Sequence, residues 1–337
     1  MSDRPLCSIS LDVDDLWSYM KIRGDQRWVE RPSYLPRFLP MALDAFEELG
    51  LRITFFVVGF DATVESNADA MASIVARGHE VGNHSFEHES WLHLYSREQL
   101  TEEIIKAENA IAAVTGQRPR GFRGPGYSWS ETLLEVLAAR DYLYDASTLP
   151  TYLGPLARAY YFATAGKGIS KSPERKTLFG TFRDGLRPVG AYEWALRNGQ
   201  SLLEIPVTTI PGIKAPFHFS YLLFLARKSE ALAFGYLRTA LAICRLSGVE
   251  PSFLLHPLDL MGDDEAHELA FFPGMDVPSK RKRELFSKAL RILAEDHTPV
   301  TMSAHANAIR ARARLARRIP DIAPSAATSA TAASAAR

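Results

Sequence analysis

The chain has 337 residues, of which 47% are hydrophobic and 23% are charged, proportions that are typical of a folded soluble protein and not of a disordered or fibrous one. Lys plus Arg equals Asp plus Glu at 39 each, so no overall charge draws the protein to nucleic acid or to an acidic membrane surface. Two cysteines, Cys7 and Cys244, are too few for a disulfide framework.

The first residues, Met1 to Pro5, lead directly into a strand-like segment without the apolar stretch of a secretory signal. No segment reaches the roughly 18 to 20 uninterrupted apolar residues that are needed to span a bilayer. We therefore expect a cytoplasmic protein.

Apolar runs of strand length alternate with amphipathic stretches of helix length from Leu6 to about Val300, a pattern that indicates βα units and a mainly parallel sheet. Strands are predicted at Leu6–Leu11, Arg52–Val58, Glu80–Gly82, Gly121–Arg123, Tyr142–Tyr144, Leu203–Val207, Ser252–Leu255 and Pro299–Met302. Helices are predicted at about 36–49, 63–77, 97–115, 130–140, 229–247 and 279–296. Seven or eight strands of this kind can close into a barrel, which collects reactive groups at the C-terminal ends of its strands.

Two regions interrupt this rhythm. Residues 149–200 lack clear periodicity and are too long for an ordinary connection, which indicates an insertion within a single domain that spans residues 1–309. Residues 310–337 are first rich in Arg and Ala and then in Ser, Ala and Thr, and a tail of this composition is expected to be disordered.

The first chemical signal is the run SLDVDD, in which a strand ends in Asp12, Asp14 and Asp15. Carboxylates this close repel one another, and a bound cation would relieve that cost. A solvated strand end, or Asp15 as the cap of a short turn, explains the same residues without a metal.

The second signal is the run HSFEH at the end of another short strand. His84 and His88 are four residues apart and can face the same way, and two imidazoles with one carboxylate form a common open site for a divalent metal. A merely polar surface loop is the alternative, since His79 and His93 show that histidine is frequent in this part of the chain.

Three further polar residues follow predicted strands. Arg123 leads into the tight loop RGPGY, in which Gly126 exposes backbone N–H groups and Ser130 is placed to cap the next helix. Asp145 and His256 each follow an apolar run. All of these residues would lie on one face of a barrel, which favours a shared site over separate structural roles.

In this order the motifs SLDVDD, HSFEH, RGPGY, YDAS and LLH resemble those of the polysaccharide deacetylase (NodB-like carbohydrate esterase) family. The resemblance covers roughly residues 6 to 145 and 250 to 303. It implies a distorted (β/α)7–8 barrel of the polysaccharide deacetylase type. Asp12 takes the position of the family's catalytic base, Asp14 that of the metal ligand beside His84 and His88, and Asp15 is the competing ligand.

The other motifs imply roles in the same way. Arg123 matches the arginine that orients the base, Asp145 matches the acid that helps to hold that arginine, and His256 matches the general acid. The backbone N–H of Gly126 is expected to stabilise the oxyanion, with Tyr127 beside it. Two departures from the family pattern are visible, because Val13 separates the first two aspartates and the Gly126–Tyr127 order is reversed.

The resemblance implies a metal-dependent hydrolase that removes an acetyl or formyl group from an N-acylated amino sugar. Zinc suits two imidazoles and a carboxylate best, with cobalt or nickel as alternatives. The substrate is expected to be a saccharide or a polyprenyl-phosphate-linked amino sugar of the cell envelope. Hydrolysis of a non-sugar cyclic amide or ureide on the same scaffold, and a non-catalytic saccharide-binding relative, are the competing functions.

A last expectation concerns residues 215–226, an aromatic stretch with cationic neighbours at both ends. This composition is typical of an element that lies in the membrane interface. It predicts peripheral contact with the inner membrane face, and burial as a barrel helix is the rival interpretation.

Overall fold

The computed structural model describes residues 4–156, 180–312 and 315–321. The strands are β1 Leu6–Val13, β2 Thr54–Val57, β3 Glu80–Asn83, β4 Gly121–Phe122, β5 Tyr144–Asp145, β6 Tyr192–Ala195, β7 Ser201–Glu204, β8 Ser252–Leu255, β9 Thr298–Val300 and β10 Arg317–Arg318. The helices are α1 Leu16–Arg23, α2 Leu35–Glu48, α3 Ala68–Ala76, α4 Arg97–Thr115, α5 Glu131–Ala139, α6 Phe219–Ala226, α7 Glu230–Leu246, α8 Ser279–Asp296 and α9 Met302–Arg312.

Seven parallel strands form the barrel, in the order β7-β5-β4-β3-β2-β1-β8. The segment after β7 closes the ring, because the Thr208 N–H donates to the Ser252 carbonyl over 3.1 Å and the Ser252 N–H donates to Thr208 Oγ1 over 2.8 Å. β9 pairs with the start of β1, and β6 and β10 extend the sheet beside β7. This architecture confirms the predicted α/β barrel.

Polar and apolar side chains alternate along β1, and the polar ones lie on the face of the strand that carries the site. Cys7, Ile9, Leu11 and Val13 belong to the core between the sheet and its helices. The residues between them point to the other face, since successive strand residues alternate. Ser8 there contacts His305, and Ser10 and Asp12 both accept hydrogen bonds from Arg123.

The interior of the barrel is filled by a separate cluster that includes Phe56, Tyr144, Leu203 and Met302. Gly82 is required next to Phe56, because a Cβ atom there would lie 2.5 Å from the phenyl ring. The site is therefore built on top of a packed interior and not over an open channel.

All eight predicted strands are present, and the six predicted helices lie within a few residues of their expected ends. The sequence patterns missed α1, α9, β6 and β10, and α6 was considered only as the rival interpretation of residues 215–226. The predicted tail boundary is wrong, because α9 continues past residue 309 to Arg312 and β10 pairs with β6. Residues 157–179 of the predicted insertion and residues 322–337 of the predicted tail lie outside the described residues.

The structure favours burial over the membrane interface for residues 215–226. Phe217, Phe219, Leu222 and Leu223 are buried in the main core, so these residues cannot lie in a membrane interface. Only Phe224 of the aromatic residues is strongly exposed, at 65%. No helix in the described ranges is both long and apolar enough to cross a membrane.

Truncation of α6 tests this correction. We expect Phe219→Ala to lower the free energy of unfolding by about 3 to 5 kcal/mol, because it leaves a cavity against Phe286 in a packed core. Phe224→Ala is the matched control and should change stability by about 0.5 kcal/mol or less, since its ring is mostly in solvent. Chemical denaturation measures both, and equal effects would contradict the assigned burial.

Candidate metal and catalytic site

Three potential metal ligands converge at the C-terminal ends of β1 and β3. Asp14 follows β1, His84 follows β3, and His88 lies in the loop after His84; all three are buried. One ligand atom from each lies within 4.8 Å of the other two. Asp14 Oδ1 is 3.3 Å from His84 Nε2 and 2.9 Å from His88 Nε2. The two distant motifs thus form one cluster.

The loop that carries the two histidines is held in an uncommon conformation. Ser85 and His88 have φ values of 63° and 52°, a region that non-glycine residues seldom occupy. Asn83 Oδ1 accepts the Ser85 N–H over 2.8 Å, and Ser85 Oγ accepts the His88 N–H over 3.2 Å. These bonds offset the strain and direct both rings to the same point.

The donor set fits a divalent metal ion. His84 Nδ1 donates to the Arg123 carbonyl over 2.7 Å, which leaves Nε2 as the nitrogen that can bind a metal. Burial raises the pKa of Asp14, but His88 and His84 act in the opposite direction and hold it well below its usual value. Asp14 Oδ1 is also buried without a hydrogen bond among the described residues.

Asp15 does not belong to this cluster. Its Oδ1 accepts the N–H of Leu16 over 2.7 Å, as the cap of α1, and the N–H of Tyr34 over 3.0 Å. Burial raises the pKa of Asp15 to about 6. The ligand cluster thus favours Asp14 over Asp15, whose Oδ1 holds the backbone of two segments.

Asp12 and Arg123 form a buried ion pair next to the cluster. Arg123 Nη1 donates to Asp12 Oδ1 over 2.7 Å and to Ser10 Oγ over 2.8 Å. Arg123 Nε donates to the Ala146 carbonyl over 3.0 Å, and the guanidinium lies 4.4 Å from the centre of the Phe56 ring. The fully buried guanidinium therefore holds the Asp12 carboxylate in one orientation.

Asp145 makes different contacts from those predicted. No hydrogen bond joins it to Arg123, whose four polar contacts lie elsewhere. Asp145 instead accepts the Ser147 hydroxyl over 2.6 Å and lies directly across from Glu204 in the β5–β7 pair. Glu204 in turn accepts the N–H and hydroxyl of Thr148. Asp145 thus acts on the 145–148 loop and only indirectly on the arginine.

The loop after β4 approaches the site through backbone conformations that favour glycine. Gly126 has φ 59° and Tyr127 has φ 61°. Ser130 Oγ caps α5 by accepting the Leu133 N–H over 3.2 Å, as expected. Both Gly126 and Tyr127 line the same cavity as the Asp14–His84–His88 cluster.

His256 follows β8 and completes the cavity, and it has a carboxylate partner that the sequence did not reveal. Asp259 Oδ2 accepts the His256 N–H over 2.8 Å and lies 3.9 Å from His256 Nδ1. Asp259 Oδ1 accepts the Ser220 hydroxyl over 2.8 Å. The spacing HPLD was the only local signal for this pair. His218 is also near, with its ring centre 6.3 Å from that of His256, and burial lowers its pKa to about 3.

Removal of the Asp259 carboxylate tests its effect on His256. We expect Asp259→Asn to lower turnover, by less than the ~10²–10⁴-fold contribution typical of a general acid, because the neutral amide holds the His256 imidazole less well. Asp264→Asn is the control, since the described hydrogen bonds of Asp264 go to Ser279 at the start of α8. Unchanged turnover in Asp259→Asn would contradict the pairing.

The site opens into a cavity of about 320 Å³. Its floor carries Asp12, Asp14, His84, His88, Gly126, Tyr127 and His256. Of the predicted site residues, Asp15, Arg123 and Asp145 lie outside its lining. The Asp12 carboxylate, the Asp14–His84–His88 cluster and the His256 imidazole therefore face one space, an arrangement with which an amide could be hydrolysed.

Residues 8–144 match the family model described as polysaccharide deacetylase. A peptidoglycan deacetylase from Helicobacter pylori is 25% identical over 178 residues, which cover 51% of this chain and 57% of that protein. A chitooligosaccharide deacetylase from Sinorhizobium fredii is 32% identical over 104 residues, which cover 31% of this chain and 47% of that protein. The chain thus spans about half the length of these curated relatives.

The fold comparison extends over more of the chain. A crystal structure of a Mycobacterium smegmatis protein, provisionally named a polysaccharide deacetylase, has a TM-score of 0.60, 20% identity and 94% coverage of both chains. The whole described architecture, including the part after residue 144, is therefore shared with a known structure.

Proposed function

We propose that this chain, whose residues 8–144 match the polysaccharide deacetylase model, is a metal-dependent hydrolase that removes the acyl group from an N-acylated amino sugar. The observation that carries the proposal is the single cavity shared by the Asp14–His84–His88 cluster, Asp12 and His256. Zinc is the proposed metal, because two imidazoles and one carboxylate match its ligand preference.

The roles of the side chains follow from their contacts. A divalent metal, when bound, polarises the amide carbonyl and makes water more acidic. Asp12 takes the proton of the attacking water, and Arg123 holds the Asp12 carboxylate in its orientation. We assign the stabilisation of the developing oxyanion to the backbone N–H of Gly126. His256, supported by Asp259, gives a proton to the departing amine.

Two substrate types are consistent with this chemistry, a soluble N-acetylated saccharide and a lipid-linked amino sugar. The relatives named above as peptidoglycan and chitooligosaccharide deacetylases support an N-acetylated sugar as the substrate. We therefore propose incubation of the zinc-loaded protein with chitin-like oligomers and with polyprenyl-phosphate amino sugars, followed by mass spectrometry. Loss of an acyl group from either substrate supports the proposal.

The same experiment separates the competing functions. Turnover of a cyclic amide or ureide, with no acylated sugar changed, would assign a different hydrolase on this scaffold. Retention of sugars without turnover, by protein that holds its metal, would indicate a binding protein and overturn the proposed enzyme.

A further inference from the structure

The cavity has an outer wall that differs from its floor. α1, α6 and the loop before α8 contribute the apolar side chains Ile22, Leu223, Phe224, Phe272 and Pro273 to this wall. These side chains line the same cavity as the Asp14–His84–His88 cluster, and the Phe224 ring is 65% exposed. A substrate that fills this cavity is therefore in contact with an apolar surface.

Two polar side chains of this wall, Ser220 and Arg227, have partners within the protein. The Ser220 hydroxyl donates to Asp259 over 2.8 Å, and Arg227 Nη2 donates to Asp276 over 2.7 Å. A second sugar ring placed here would lose the hydrogen bonds that its hydroxyls make with water and would gain few in return. A hydrocarbon chain needs no partners and gains from leaving water.

One polar group marks the inner end of the wall. The Tyr19 side chain is buried, with its ring 5.3 Å from that of Phe272, and it lines the cavity beside Asp14. Its hydroxyl makes no hydrogen bond with the part of the chain that the structure describes. A buried hydroxyl without a partner is costly unless a ligand satisfies it. Tyr19 is therefore placed to bind a hydroxyl or the acylamide oxygen of the sugar.

We propose that this cavity binds an amphiphilic substrate, in which the N-acylated amino sugar contacts Tyr19 and the catalytic residues and an attached hydrocarbon chain lies along the apolar wall. The inference rests on the proposed function and specifies its substrate class. A polymer of sugars is the rival, in which Phe224 and Phe272 would serve as stacking platforms. Ile22, Leu223 and Pro273 are aliphatic and favour the hydrocarbon.

The test uses N-acetylglucosamine β-glycosides with methyl, butyl and hexyl groups, compared with chitooligosaccharides of one to four sugars. A fully buried methylene is worth up to ~4-fold, so a partly covered hexyl group should raise kcat/KM over the methyl glycoside by about 10-fold or more. Phe224→Ser should remove most of this hexyl-to-methyl ratio. Leu246→Ser, a change at another exposed apolar residue at the end of α7, should leave the ratio unaltered.

Tyr19→Phe separates the two parts of the site. It should lower kcat/KM for the methyl and hexyl glycosides by a similar factor, on the order of 10-fold, while the hexyl-to-methyl ratio is kept. A variant that alters only the ratio would show that Tyr19 belongs to the wall and contradict its placement beside the sugar.

A binding measurement keeps the inference testable without turnover. Calorimetry of the zinc-loaded protein with the methyl and hexyl β-glycosides of N-acetylglucosamine should show tighter binding of the hexyl compound. Phe224→Ser should abolish this difference. Equal binding and a flat alkyl series, or a rise with sugar number alone, would overturn the amphiphilic substrate. Absence of turnover for every glycoside, with the binding difference intact, would overturn the proposed hydrolase instead.

Discussion

Replacement of His84 or His88 by alanine is expected to remove the bound metal and to lower turnover by at least ~10²–10³-fold, the loss found when one major electrostatic group of an active site is deleted. The chain is expected to bind about one divalent ion, because the described residues contain one such ligand cluster. Each histidine supplies one of its three ligand atoms, so either change leaves two. Elemental analysis of purified protein and a deacetylation assay measure the two effects.

His93→Ala is the matched control for this experiment. His93 lies five residues after His88, is partly buried and contacts Ser128 through Nδ1 over 2.8 Å, outside the ligand cluster. We expect it to keep its metal. Full metal content in both His84→Ala and His88→Ala would show that the ion binds elsewhere.

The second large effect is expected from the two aspartates after β1. Asp12→Asn should keep the metal but lower turnover by ~10²–10⁴-fold, the contribution typical of a general base, because an amide cannot accept the proton of water. Asp14→Asn should lose the metal first. Only Val13 separates the two residues in the chain. The two variants therefore compare the proposed base with the proposed ligand at the end of the same strand.

Stability must be measured alongside activity in Asp12→Asn. Arg123 is fully buried, and a buried charge without its partner costs about 3–5 kcal/mol. Asparagine keeps an oxygen that can accept from Arg123 Nη1, so the loss should be smaller than in Asp12→Ala. Metal loss from Asp12→Asn together with retention by Asp14→Asn would exchange the two assigned roles.

Local patterns were enough to predict much of this protein. The alternation of Ser8, Ser10 and Asp12 with apolar residues predicts a strand with one polar face, whatever the rest of the chain does. The motifs at the ends of the strands identified the positions that line the cavity, because parallel strands bring their C-terminal ends to the same edge. The capping roles of Asp15 and Ser130 were also visible, since a cap depends on the next three residues.

Side-chain partners that are distant in the chain could not be predicted in this way. Asp145 was assigned to Arg123 by resemblance, but its place opposite Glu204 depends on the register of β5 and β7. The Asp259–His256 contact was missed because the run HPLD does not by itself show that the two side chains approach each other. The turn after β8 brings them together. Such contacts follow from the path of the backbone and not from residue type.

Spacings of a few residues were enough to predict the alternating strands and helices and the order of the strand-end motifs, whereas the set of two histidines and one aspartate was implied by the family resemblance. Only the tertiary structure decided that Thr208 and Ser252 close the barrel, that Asp14 and not Asp15 faces the histidines, and that α6 buries Phe219 while it presents Phe224 to the cavity. An apolar run can be buried in a core or can lie in a membrane interface. Which of the two occurs depends on the elements that pack against the run.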